Sequence, residues 1–305
     1  MRIAILAGFL MFVTVLSHNG TAQTADPKLQ FEVASIKVSA TVSGPFDPSK
    51  GRQNIGQRGG PGTNQPEQLT IGSMQIKNLL LQAFGVKALQ LSGPSWLDNR
   101  DNDRFDVVAK VPPGASKEDA KLMLQNLLVD RFGLQFHRET KDVQGYELVV
   151  GKNGPKMKES LIDPNPPPPP AAGGQPFKIE NDRNGIPQLP AGRPGTLMGG
   201  GVGGSVIAAR QQTMTQLANI LENQLGKPVV DKTGLTAKYD FGIKFDPTGL
   251  PGAFAPQNAP PGDASDPVPS IFTVVQQELG LRLDQKKITV DLVVIDQLNK
   301  APTEN

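Results

Sequence analysis

The sequence predicts an α+β protein made of two repeated β-α-β-β-α-β-β units, each a small antiparallel or mixed sheet covered by helices on one face. Three observations predict it. Short segments recur in the same order in both halves: Arg104-Phe105-Asp106 answers to Lys238-Tyr239-Asp240, Phe132-Gly133-Leu134 to Leu279-Gly280-Leu281, and Tyr146-Glu147-Leu148-Val149-Val150 to Val290-Asp291-Leu292-Val293-Val294. Within each half, apolar residues alternate at period two in some runs and recur at helical spacing in others. Glycine and proline separate those runs.

The elements follow in order. Residues 31–38 alternate apolar with small or polar side chains, as a half-buried strand does. Residues 39–66 turn to Gly, Pro, Ser, Asn and Gln and read as a long loop. Leu69-Thr70-Ile71 is a short strand, and Met74, Ile76, Leu79, Leu80, Leu81 and Phe84 space out a buried helix that Gly85 stops. Residues 88–91 and 104–111 read as strands. Ser116 caps a helix whose inward face is Leu122, Met123, Leu127, Leu128 and Phe132, with Gly133 at its end. Residues 134–138 and 146–150 read as a hairpin.

Residues 151–204 read as a connector, stiff where Pro166–Pro170 favour polyproline II and flexible over Gly199–Gly204. The second unit then repeats the pattern. It offers a strand at 205–210, a helix at 213–225 closed by Gly226, strands from Pro228 and Tyr239, a short helix at 270–279 and a final hairpin at 281–283 and 289–295. Residues 246–269, rich in Pro, Gly and Ala, read as a disordered insertion. The expected division is a signal peptide over 1–22, an N-terminal strand and loop over 23–66, and a first repeat over 67–152. A connector over 153–204, a second repeat over 205–299 and a tail over 300–305 complete it.

The N-terminus predicts export. Arg2 supplies the positive end, residues 3–16 an apolar stretch too short for a comfortable span, and Gly20-Thr21-Ala22 a small-x-small cleavage pattern. The expected location is periplasmic or secreted, with no stable membrane insertion after cleavage. With 305 residues the chain can bury two cores. Its aromatic content of 5% is low, because Gly (33) and Pro (28) take up much of the loops. A net charge of +2 with interspersed signs gives no footprint for nucleic acid. The absence of cysteine excludes disulfides, thiol catalysis and thiolate metal sites.

Catalytic groups are scarce. Of two histidines, His18 leaves with the signal peptide, so His137 alone stands against a His-based zinc centre. No G-x-S-x-G elbow accompanies it, and strand alternation puts it on a polar face, where a bond to Glu139 or a neighbouring strand would hold it. Gly199–Gly204 satisfies G-x-G-x-x-G in letter but lacks the strand-to-helix setting that binds pyrophosphate. Asp98, Asp101 and Asp103 lack the order of a calcium loop. The lone Trp96 reads as a packing anchor or a ligand platform. No catalytic residue, cofactor or metal site is predicted.

Several stretches taken together carry a family resemblance. They are Phe31–Lys37, Gly93-Pro94-Ser95-Trp96-Leu97, Arg104–Lys110, Asp130–Leu134 and His137-Arg138-Glu139-Thr140, then Pro228–Leu235 and Tyr239-Asp240-Phe241. The chain resembles a family of secreted proteins of unknown function expanded in soil Acidobacteria, from about Phe31 to the C-terminus. The resemblance implies export and no established activity. Some members are joined to membrane metallopeptidase domains of the antibiotic-sensor type, which this chain lacks. A fold-level likeness to the small β-α-β docking repeats of secretins and TonB-dependent receptors adds little about function.

Two functions are weighed. The first is a non-catalytic extracytoplasmic binding or interaction module, taking an envelope or extracellular protein or a small ligand as partner. Its candidate binding residues are Trp96, His137, Arg138, Glu139, Asp231 and Lys232. The second is a secreted hydrolase of glycans or peptides that works with carboxylates alone, drawn from Asp106, Asp240 and Glu139.

Overall fold

The computed structural model of the chain describes residues 29–39, 56–99, 103–161, 179–190, 192, 194–201, 204–251 and 267–303. The expected signal peptide, the proline run and most of the 246–269 insertion lie outside them. The first stretch of chain forms strands β1 (Val33–Val38), β2 (Gly56–Gly59) and β3 (Gln68–Gln75), helix α1 (Ile76–Phe84), β4 (Leu91–Ser92), β5 (Arg104–Lys110) and helix α2 (Lys117–Phe132). The 16-residue strand β6 (Gln135–Val150) follows. Next come β7 (Lys158–Glu159), β8 (Gly195–Gly201), β9 (Gly204–Gln212), α3 (Met214–Leu225), β10 (Val229–Asp231), β11 (Tyr239–Phe245) and α4 (Ile271–Gln277). The 17-residue β12 (Leu281–Gln297) is last. The chain is α+β, as its periodicities predict.

It divides into two compact units, residues 1–139 with 291–305, and residues 140–290. In the first, an antiparallel sheet of order β1-β5-β3-β2 turns Ile36, Leu69, Ile71, Phe105, Val107 and Ala109 inward. Helices α1 and α2 cover that face. The buried residues of α1, Ile76, Leu79, Leu80, Ala83 and Phe84, fall at i, i+3, i+4, i+7 and i+8, one stripe of a helix. Phe105 meets Phe132 edge-on at 5.1 Å between centroids, and Phe84 meets Phe136 at 4.7 Å. The end of β12 completes the unit: Val293 pairs in parallel with Leu91 of β4, and Val293, Ile295 and Leu298 are buried in this core.

In the second unit the sheet order is β7-β11-β9-β8, again antiparallel between neighbours. Ile207, Phe241, Ile243 and Phe245 pack beneath α3 and α4, against Met214, Leu217, Leu221, Ile271, Val274 and Val275. Strand β10 pairs in parallel with β6, Val229 opposite Tyr146. Three helices start on hydroxyl caps: Ser116 accepts from Asp119 N–H, Thr213 from Gln216 N–H and Ser270 from Thr273 N–H. Capping residues satisfy amide groups that a helix start leaves unbonded.

One device occurs in each unit. Strands β3 and β5 shift register between Ile71 and Met74, where Ser73 takes φ +50°. Asp106 Oδ1 accepts the Ser73 N–H at 2.7 Å and the Ser39 hydroxyl at 2.7 Å. Strands β9 and β11 shift register near Tyr239, where Gln211 takes φ +53°. Asp240 Oδ1 accepts the Gln211 N–H at 2.8 Å and the Ser160 hydroxyl at 2.5 Å. A bulge orphans an amide and bends the strand. In both units an aspartate satisfies that amide, which gives a physical reason for the aspartate common to Arg104-Phe105-Asp106 and Lys238-Tyr239-Asp240.

The structure departs from the sequence reading in four places. Neither expected hairpin exists, because β6 and β12 each run straight through. Gly145 lies between the two expected strands, inside β6, and a Cβ there would lie 2.6 Å from Pro228 O and 2.7 Å from Ile288 Cγ1. The glycine permits close approach of neighbouring chain, not a reversal. The glycine run expected to be flexible contributes to β8, which pairs with β9 from Gly195↔Arg210 to Gly201↔Gly204. Ladder bonds use the main chain, so the missing side chains do not prevent pairing. Residues 88–90 form a 3-10 turn, leaving only Leu91 and Ser92 as strand. Within 39–66, residues 56–59 form β2.

Candidate functional site

The residues singled out from sequence fall in both units and do not converge. In the first unit, Trp96 sits in a 3-10 turn and packs against the core, with the Lys300 ammonium 5.5 Å from its ring centroid. His137 is half-buried on β6 and shares Nδ1 with the Asp296 carboxylate at 2.9 Å. Its partner is thus a neighbouring strand, not Glu139. Arg138 is exposed, its guanidinium 6.0 Å from the Phe84 ring centroid, and Glu139 is exposed on the same strand. Asp98 is paired with Lys77, Asp103 is exposed, and Asp101 lies outside the described residues.

In the second unit, Asp231 serves its own turn. Its Oδ1 accepts the Thr233 N–H at 3.0 Å and the Thr233 hydroxyl at 2.8 Å. The Lys232 N–H donates to Leu148 O at 2.9 Å while its side chain faces solvent. These are structural bonds of strand and turn. Among the described residues, no three His, Asp or Glu side chains gather as a metal site would require, and no helix is long and apolar enough to cross a membrane.

Sequence reasoning missed a groove of about 1160 Å³ on the second unit. Its floor is the outer face of β9 and β11. The inward positions of β11 are Tyr239, Phe241, Ile243 and Phe245, so alternation turns Asp240, Gly242 and Lys244 outward. Ala208 lies opposite Gly242 on β9, so the middle of the floor carries small residues between Asp240 and Lys244. The turn around 182–188 borders the groove, with Ile186 seated so close to Gly242 that a Cβ there would lie 2.7 Å from its Cγ2. Asp182 shapes that turn by accepting the Asn184 and Ile186 N–H groups at 2.8 and 2.9 Å. Pro267–Pro269 and Glu278 complete the lining.

Charge is distributed unevenly over these walls. Lys158, Arg183, Arg210 and Lys244 all line the groove. Arg210 Nε lies 3.7 Å from Asp240 Oδ2, a long contact. Among the described residues, Lys158, Arg183 and Lys244 have no ion-pair partner. Asp182 and Asp240 already accept bonds from their own loops. Burial raises the Glu278 carboxyl above its ordinary value. Beneath the floor, burial likewise raises the Tyr239 phenol, helped by the adjacent Glu159 carboxylate. The signal for this groove was hidden because Lys158 and Arg183 sit in a stretch whose proline and glycine content reads as linker.

Fold and groove together define an α+β protein of two helix-covered sheet units, one of which carries a polar, cation-lined cleft. The chain belongs to the family described as Protein of unknown function (DUF3738), whose profile matches residues 77–298 and so takes in most of both units. No curated protein and no solved structure matches it.

Proposed function

We propose that the chain is an exported, non-catalytic binding or interaction module, and that the groove over β9 and β11 is its binding site. The groove carries this reading. Its volume of about 1160 Å³ lies just above the usual range of small-molecule sites, roughly 300–1,000 Å³. The middle of its floor is small or apolar, with Ala208, Gly242 and Ile186, and charged groups flank it, where they orient a ligand. Export rests on the pattern of residues 1–22, and the same pattern makes the expected partner an envelope or extracellular molecule.

The alternative, a carboxylate-dependent hydrolase of glycans or peptides, draws less support. An acid–base pair needs one carboxyl free to deliver a proton. Of the three carboxylates it draws on, Asp106 and Asp240 each spend Oδ1 on a bulge amide and a serine hydroxyl, and Glu139 is exposed on β6.

The test is a thermal-shift screen of small molecules on the mature protein, with pull-down from envelope and secreted extracts. Both are repeated on the double variant Lys158→Ala/Lys244→Ala. At least one ligand or partner is expected, weakened in the variant. A complete lack of stabilising ligands and of retained partners sinks the proposal, and turnover of a glycan or peptide that Asp240→Asn abolishes replaces it with the hydrolase.

A further inference from the structure

We infer that the groove takes an elongated small molecule bearing several anionic groups, carboxylate or phosphate. The inference rests on the binding reading of this groove and adds the ligand's chemical class. Three facts carry it.

The first is the imbalance in what the charged groups already do. Asp182 holds the turn at 182–188 through two N–H bonds, and Asp240 holds the bulge at Gln211 and the Ser160 hydroxyl. Lys158, Arg183 and Lys244 have no such employment, and burial pushes Glu278, the third carboxyl of the lining, toward its neutral form. Ammonium and guanidinium groups are donors without acceptor capacity, so groups left free at a cleft call for acceptors on the ligand.

The second is spacing. Lys158 pairs across the ladder with Asp240, and Lys244 lies four residues further along β11. Strand rise puts those two positions about 13 Å apart. The cations therefore stand at separate points along the floor, which suits charges distributed along a molecule better than a single compact ion.

The third is the floor between them. Gly242 and Ala208 carry little side chain and Ile186 packs over Gly242, so the ligand's body can lie against a small, apolar surface while its ends reach the cations.

The experiment is isothermal titration of the mature full chain with inorganic tripolyphosphate and with citrate, beside the neutral trisaccharide maltotriose. Titrations are run at low and at raised salt. Lys158→Glu, Lys244→Glu and the milder Lys244→Gln are compared with Lys117→Glu, an exposed helix residue of the other unit. Thermal melts confirm that each variant folds. Binding of one or both anions is expected, weaker at raised salt and about tenfold weaker after each charge reversal in the groove. Lys117→Glu should leave it unchanged. Tighter binding of tripolyphosphate or of citrate identifies the favoured anion.

The inference is overturned if neither anion binds, if the groove reversals do no more than Lys117→Glu, or if maltotriose binds as tightly as the anions. Binding of maltotriose that Lys158→Ala/Lys244→Ala weakens would leave the binding module standing while removing its anionic ligand. Absence of every ligand and partner in the earlier screen would remove both.

Discussion

At the N-terminus of α2 a single hydroxyl fixes where the helix begins. Ser116 accepts from the Asp119 N–H at 3.1 Å, and the Asp119 carboxylate answers to the Ser116 N–H at 2.8 Å. Replacing Ser116 by Ala removes the cap and should cost about 1 kcal/mol in urea unfolding. The Ser116 N–H foremost, and then the Ser116 hydroxyl at 2.8 Å, donate to the Asp119 carboxylate and hold it below its ordinary value of 3.8; the variant loses the second of these. The native state then binds this proton less readily than the unfolded chain does. Its stabilisation is complete above the ordinary value and is lost as pH falls through the lower native one. Unfolding measured from neutral to strongly acid pH should therefore show a smaller acid loss in Ser116→Ala than in the parent. At the bulge of the first unit, Ser73 holds φ +50°, a region that costs a residue with a Cβ about 1 kcal/mol. Ser73→Gly should raise stability by up to that amount, whereas Asp106→Ala, which leaves the Ser73 N–H without its acceptor, should lower it by about 1–3 kcal/mol. A Ser73→Gly variant less stable than the parent would show that the bulge needs its side chain.

At the scale of elements, what could be read depended on whether the side chains report the local geometry. The helices were legible because their signals are local: Ser116, Thr213 and Ser270 at the starts, Gly85, Gly133 and Gly226 in left-handed geometry at three of the ends. Strand β8 was not, since glycine contributes main chain to a ladder without advertising it. The two long strands misled for the opposite reason. Residues 139–144 of β6 are polar except for Val143 and largely exposed, so the period-two signal fades there although the strand continues. Gly145 separates the readings. If it served a turn, a larger residue would be tolerated. As a close-approach glycine against Pro228 O it should not, and Gly145→Val should destabilise the second unit by several kcal/mol, while Gly154→Ala, in open space but with φ +76°, should cost only about 1 kcal/mol. Denaturant midpoints of the two variants decide it. The groove escaped the sequence for a related reason: its cations come from β7, a surface turn, β9 and β11, and no spacing along the chain brings them together.

At the scale of the whole molecule, the units differ in how the chain supplies them. Residues 140–290 are continuous and contain the entire second core, from Leu148 to Leu281. The first unit is discontinuous, since Val293, Ile295 and Leu298 come from the far end of the chain to fill its core, and β4 has β12 as its partner. Each buried aliphatic side chain contributes roughly 1.5–3 kcal/mol, and a domain's net stability is only about 5–15 kcal/mol. Losing three such residues together with a strand partner therefore removes most of the margin. A fragment of residues 140–290 should melt cooperatively, and a fragment of 29–139 should not. The remedy follows from the strand directions. Phe132 O accepts from Asn299 N–H, and His137 meets Asp296, so β6 and the end of β12 run antiparallel in this unit. A short Asn-Gly turn joining residue 139 to residue 291 would close them as a hairpin. That joined chain should regain cooperative unfolding in far-UV circular dichroism and resist limited proteolysis. A cooperative melt of 29–139 alone would show that the C-terminal strand is dispensable. Failure of the joined chain to fold, beside a folded 140–290, would show that the first unit requires the second to form.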